Sequence, residues 1–206
     1  MIAIIDYGLG NIRAFSNVYK RLSISHCIVN TPKELHQADK IILPGVGSFD
    51  YAISLLNSSG MRETLNTLVI EKGVPVLGVC VGMQLMAFKS DEGTSKGLGW
   101  ISGKVKKIHD RGKQESFNYP LPHMGWNNIE IEHQDSLLSG LSSRARFYFL
   151  HSYYFECQDN DASLATVKYN SKFSCIVKSA NIYGVQFHPE KSHENGIILL
   201  KNFALA

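Results

Sequence analysis

The sequence predicts an α/β fold, one domain over residues 1–206, with a mostly parallel twisted sheet flanked by helices and a strand-rich C-terminal half. Three observations predict it. Short apolar runs of strand length alternate with amphipathic helical stretches through the first half of the chain, as right-handed βαβ crossovers require. Glycine-rich loops follow two of those runs, at the strand ends where ligands gather in parallel sheets. A third run, Pro75-Val76-Leu77, enters Gly78-Val79-Cys80-Val81-Gly82 and passes at once into a helical pattern. That is the layout of a nucleophile elbow.

Each element has its own signal. Ile2 to Ile5 is a buried-strand run, and Asp6-Tyr7-Gly8-Leu9-Gly10-Asn11 is a loop. Ile12, Phe15, Tyr19 and Leu22 then recur at helical spacing. Cys27 to Val29 reads as a second strand. Thr31-Pro32-Lys33-Glu34 starts a helix, with threonine as cap, proline at the first position and glutamate closing a capping box. Lys40 to Leu43 is a third strand and ends at Pro44-Gly45-Val46-Gly47. Helices are expected from Phe49 to Leu56 and from Arg62 to Lys72. Beyond Asp91 the pattern shifts to strands and turns. Leu98 to Ile108 reads as a glycine-turned β segment, and 110–119 as a polar loop. Strands are expected at Trp126 to Ile131, Arg146 to Leu150, Leu164 to Tyr169, Phe173 to Lys178 and Ile182 to Phe187, with a helix from Asn195 to Phe203.

Composition narrows the function classes. The 206 residues are 44% hydrophobic and 19% charged, ordinary for a globular chain with a sizeable core. No uncharged apolar stretch reaches the roughly 18 residues that a membrane span needs. Met1 to Asp6 lacks the basic start of a signal peptide, so none is expected. A net charge of +3 without a basic block argues against nucleic acid. The four cysteines are scattered, with no Cys-x-x-Cys, which suits a reducing cytoplasm. Neither glycine loop completes Gly-x-Gly-x-x-Gly, since Arg13 and Asp50 stand where the third glycine would be, so no dinucleotide cofactor is expected.

Chemistry centres on Cys80. At a helix N-terminus a thiol's pKa falls, because unpaired N–H groups favour the thiolate. A thiolate nucleophile needs a base, and the base needs an orienting group. Four of the eight histidines (His26, His36, His109 and His133) carry no special context and read as solvated surface. His188 differs. It ends the apolar strand that runs to Phe187 and is followed by Pro189 and Glu190; in an extended segment, residues two apart project to the same side. A metal site is the rival reading, but His188 and His193 lack ligand spacing and no Cys/His cluster exists, so no metal is expected.

Taken together, Gly78-Val79-Cys80-Val81-Gly82-Met83-Gln84 and His188-Pro189-Glu190 resemble the class I (triad) glutamine amidotransferases. Asp6 to Asn11, Pro44 to Phe49, Pro122-His123-Met124-Gly125-Trp126-Asn127, Phe149 to Tyr153 and Gly184 to Ser192 are similar to one branch of that family, the glutaminase subunits of imidazole glycerol phosphate synthase in histidine biosynthesis. The resemblance implies Cys80 as nucleophile, His188 as general acid and base, and Glu190 as its orienter. It implies oxyanion donors at Val81 and Val46, and substrate contacts from Gly47, Gln84, His151, Ser152 and Tyr153. It places Asn11, Trp126, Tyr148 and Lys191 against a (β/α)8-barrel synthase that receives the ammonia. The segment Asp110 to Leu121 is longer and more polar than this branch's usual lead into Pro122. The alternative is therefore a relative that supplies ammonia to an enzyme aminating or amidinating surface-polysaccharide sugars.

Overall fold

The computed structural model describes residues 1–108 and 120–206. The fold is α/β, as the alternation predicts. Strands β1 (Ile2–Ile5), β2 (His26–Val29), β3 (Lys40–Gly45) and β4 (Val76–Cys80) lie parallel in the order β2-β1-β3-β4. Every residue of β1 and β4 is buried, because helices cover both faces of a parallel sheet. Helix α1 (Ile12–Arg21) buries Ile12, Phe15 and Tyr19, one stripe at 3–4 residue spacing. The four-residue α2 (Pro32–Leu35) carries the expected capping box: the Thr31 side chain accepts from the Glu34 N–H, and Glu34 accepts from the Thr31 N–H. Next come α3 (Phe49–Ser58) and α4 (Met61–Asn66), and α5 (Val81–Gln84) leaves β4 directly.

The second half builds antiparallel structure onto this frame. Strand β5 is Gly103–Lys107, β6 is His123–Asn128, β7 is Glu130–Ile131, β8 is Arg146–His151 and β9 is Tyr153–Cys157. After them, β10 (Ser163–Tyr169) and β11 (Ser171–Ser179) form a hairpin, and β12 (Ile182–Val185) inserts parallel beside β4. Helix α6 (His193–Leu205) closes the chain and packs beside α1. The sheet continues β4-β12-β11-β10-β7, while β9 joins β11 and carries β5. Strands β6 and β8 form a separate antiparallel pair that opposes His123 to His151 and Trp126 to Tyr148.

Several expectations need correction. Strand β3 runs two residues past Leu43, with Pro44 opposite Val79 and Gly45 opposite Cys80. Pro44 has no N–H to give, but its carbonyl accepts from Tyr7 Oη at 2.7 Å. The helix expected from Arg62 to Lys72 is α4 followed by a wide π turn, Thr67–Glu71, rich in β-branched residues. Of the β segment 98–108, only β5 is strand; Gly99 turns the chain with φ +68°. The strand expected from Trp126 to Ile131 is two strands in two sheets, β6 with β8 and β7 with β10. Strand β9 was not anticipated. His26, expected on the surface, is half-buried and bonded to Ser16 Oγ at 2.9 Å and to the Ile24 carbonyl at 2.8 Å. The loop expected at 110–119 and His109 lie outside the described residues. Among the described residues, no helix is long and apolar enough to cross a membrane.

Candidate active site

The site is assembled where β4 gives way to α5. Cys80 occupies the turn with φ 55° and ψ −113°, a conformation that costs an L-residue free energy and that surrounding structure must impose. Packing imposes it here. A Cβ on Gly78 would lie 2.7 Å from the Gly82 carbonyl, and one on Gly82 would run into the carbonyl of Leu43 on β3. Two glycines thus let the elbow close on itself and on its neighbour strand. Val81, next after Cys80, opens α5, so its N–H has no partner inside the helix.

Beside β4, strand β12 stops at Val185, two residues short of the expected Phe187, and the bend that follows it delivers the imidazole. His188 and the Glu190 side chain are buried, and His188 Nδ1 lies 3.0 Å from Glu190 Oε1. Its other nitrogen is left for Cys80. Burial pulls the His188 pKa down, but the hydrogen bonds its ring donates toward Cys80 and Glu190, with the charge interactions there, outweigh it, so the pKa stands above the ordinary imidazole value. His188 is therefore held as an imidazolium.

Cys80, Val81 and His188 open onto a cavity of about 310 Å³ whose wall includes Val46, Gly47, Gln84, Glu92, His151, Ser152, Tyr153 and Lys191. At the small end of ligand-pocket sizes, this volume suits an amino acid better than a nucleotide. Every residue expected at the oxyanion and substrate positions lines it. Glu190 stands behind His188, off the cavity. The wall is internally bonded: Gln84 Nε2 donates to the Tyr153 carbonyl at 3.0 Å and to Gln186 Oε1 at 3.1 Å. Among the described residues, no group of three or more metal-ligating side chains converges.

Two residues here escape sequence reasoning. Glu92 brings a carboxylate to the cavity wall while its Oε2 accepts from the Phe49 N–H at 2.8 Å, capping α3. Its setting, Asp91-Glu92-Gly93-Thr94, reads only as a polar turn. Gln186, fully buried, directs Nε2 toward Cys80 Sγ at 3.8 Å. It lies inside the quoted stretch Gly184 to Ser192, just past β12, and no local pattern marks it.

Near the cavity mouth, apolar side chains stand exposed. Val46 is 36% exposed, Met124 64%, Trp126 39% and Leu150 38%, enough to mark a candidate contact surface. Trp126 stacks on His193 with centroids 5.0 Å apart and meets Tyr148 edge-on at 6.2 Å. Lys191 Nζ sits 5.9 Å from the Tyr148 ring centroid. The expected trio Trp126, Tyr148 and Lys191 is therefore one cluster. Asn11 is apart from it, exposed at the start of α1 beside Gly10 and Arg13.

The family model described as "Glutamine amidotransferase class-I" matches residues 3–206. The chain belongs to the class I glutamine amidotransferases. Within this family it is 55% identical to the "Imidazole glycerol phosphate synthase subunit HisH" of Bdellovibrio bacteriovorus, over 99% of both chains. It is 51% identical to the subunit of the same name from Leptospira borgpetersenii, again over 99% of both. Among solved structures, "Crystal structure of glutamine amidotransferase" superposes with a TM-score of 0.75 over the full length of both chains at 18% identity, a likeness of fold. As a glutamine amidotransferase, the chain is an enzyme, and the α/β frame is that of its family.

Proposed function

We propose that this chain is the glutaminase subunit of an imidazole glycerol phosphate synthase. It hydrolyses L-glutamine to glutamate and passes the ammonia to a (β/α)8-barrel cyclase subunit in histidine biosynthesis. The observation that carries the chemistry is the buried His188, hydrogen-bonded to Glu190 on one side and facing Cys80 on the other. The carboxylate fixes which ring nitrogen points at the sulfur. The Cys80 thiolate attacks the side-chain amide carbon, and the carbon–nitrogen bond breaks as His188 gives its proton to the departing nitrogen. Neutral His188 then takes a proton from water, whose oxygen displaces the sulfur and releases glutamate.

Negative charge on the amide oxygen is met by N–H groups at Val81 and Val46, each worth about 3–4 kcal/mol in sites of this type. Gly47, Gln84, His151, Ser152 and Tyr153 wall the amino-acid end of the substrate. Glu92 supplies the carboxylate that an α-ammonium requires. Trp126, Tyr148, Lys191 and Asn11 face the partner; exposed aromatics beside a cation are the usual centre of an interface.

Identity of 51–55% to imidazole glycerol phosphate synthase subunits favours this partner over a sugar-modifying one. The test is glutamate release by the chain alone, with a cyclase subunit, and with a sugar-aminating enzyme. Stimulation by the cyclase alone is expected. Stimulation by the sugar enzyme alone would transfer the assignment to it.

A further inference from the structure

His151, on the cavity wall, is paired with a second histidine behind it to which the proposed reaction gives no role. His123 on β6 and His151 on β8 are buried, and His123 Nδ1 lies 3.0 Å from His151 Nε2. The backbone carbonyl of Tyr153, which can only accept, fixes their protons. His151 Nδ1 lies 2.8 Å from it, so that nitrogen carries hydrogen and donates. Nε2 of a neutral His151 must then accept, which makes His123 Nδ1 the donor. His123 Nε2 in turn accepts from Asn127 Nδ2 at 3.3 Å, and the same amide donates to the Lys168 carbonyl at 3.1 Å. The bonds run one way, from Asn127 through His123 and His151 to Tyr153. A second proton anywhere on the pair would set N–H against N–H.

Both ring nitrogens of His151 are thus spent inside the protein, so it meets a substrate with its ring edge alone. The Tyr153 carbonyl that ends the chain also holds Gln84, on the cavity wall. Strand β6, where the chain begins, is the strand that displays Met124 and Trp126.

We propose that His123 and Asn127 are positioning residues for glutamine binding, which fix the cavity wall through His151 and tie it to the exposed strand β6. This rests on the glutaminase reading. His123 is clamped for the task between the rings of Tyr169, centroids 4.0 Å apart, and Phe149, 4.6 Å apart. The titratable groups facing the pair are His188, just past β12, and Tyr169 on β10; the cation at His188 opposes another at His151. Burial pushes His123 down to about 4 and His151 to about 3, so both stay neutral where the enzyme works.

Ring-nitrogen NMR of the full chain, with histidine isotopically labelled, reads the tautomers without reference to activity. Both residues are expected as neutral Nδ1–H rings that do not titrate between about pH 5 and 8. An imidazolium at either, or the other tautomer, overturns the proposal. In kinetics, His123→Phe keeps the stacked ring but loses both nitrogens, and should raise the KM for glutamine about tenfold with little change in kcat. His123→Asn, whose amide nitrogen can stand near Nδ1, should recover most of that loss. An unchanged KM in His123→Phe, or no recovery in His123→Asn, also overturns it. If the unaltered chain with its partner hydrolyses no glutamine, the glutaminase reading fails instead, and the spectra still test the pair.

Discussion

His188 and Glu190 are joined by a 3.0 Å bond between Nδ1 and Oε1, across a single proline, with the carboxylate side chain 1% exposed. A buried carboxylate this close acts on the imidazole in two ways: it orients the ring and it stabilises the cation.

Glu190→Gln separates the two. The amide can still meet the ring but brings no charge, so the raised His188 pKa must fall. In the proposed mechanism His188 is the acid that protonates the leaving nitrogen, so its loss of a proton sets the alkaline limb of kcat/KM. That limb should move to lower pH, with kcat lower by about 10²-fold or more. A pH–rate profile checks it, and a limb left in place contradicts it.

Packing at the elbow predicts a stability effect. An alanine Cβ at Gly82 would collide with the Leu43 carbonyl, so Gly82→Ala must part β3 from the turn that holds Cys80. A loss of about 2–4 kcal/mol is expected in urea unfolding. A midpoint equal to that of the unaltered chain would show that the contact gives way freely.

On the exposed face, Trp126 is held between His193 and Tyr148 and presents its remaining surface outward. Aromatic anchors of this kind carry much of an interface's affinity, so Trp126→Ala should weaken cyclase binding by about 2 kcal/mol. Calorimetric titration measures it. Unaltered affinity would remove Trp126 from the interface.

Much of this was legible in the sequence, for reasons that differ by residue. Strands β1, β3 and β4 announce themselves because strands covered on both faces read as unbroken apolar runs. The elbow and the His188–Glu190 pair are local: glycines flank the cysteine, and the histidine's partner is two residues away. Glu92 and Gln186 are different. Their places at the cavity wall and the sulfur are set by α3 and β12, and nothing beside them in the chain shows it. The stretch 126–131 misleads because it keeps a strand's character while changing sheets at Ile129, a decision made by β8 and β10. His151 was expected to touch substrate, and it does line the cavity; that both its nitrogens are occupied is visible only once β6 lies beside β8.

The central claim is that Cys80 forms a thioester with the γ-carbonyl of glutamine. A glutamine analogue carrying an electrophilic carbon in place of the amide should label the chain once, and peptide mass mapping should place the label on Cys80. Cys80→Ala should stay unlabelled and release no glutamate from glutamine. Labelling at Cys27, Cys157 or Cys175 instead, or undiminished hydrolysis by Cys80→Ala, would contradict the account.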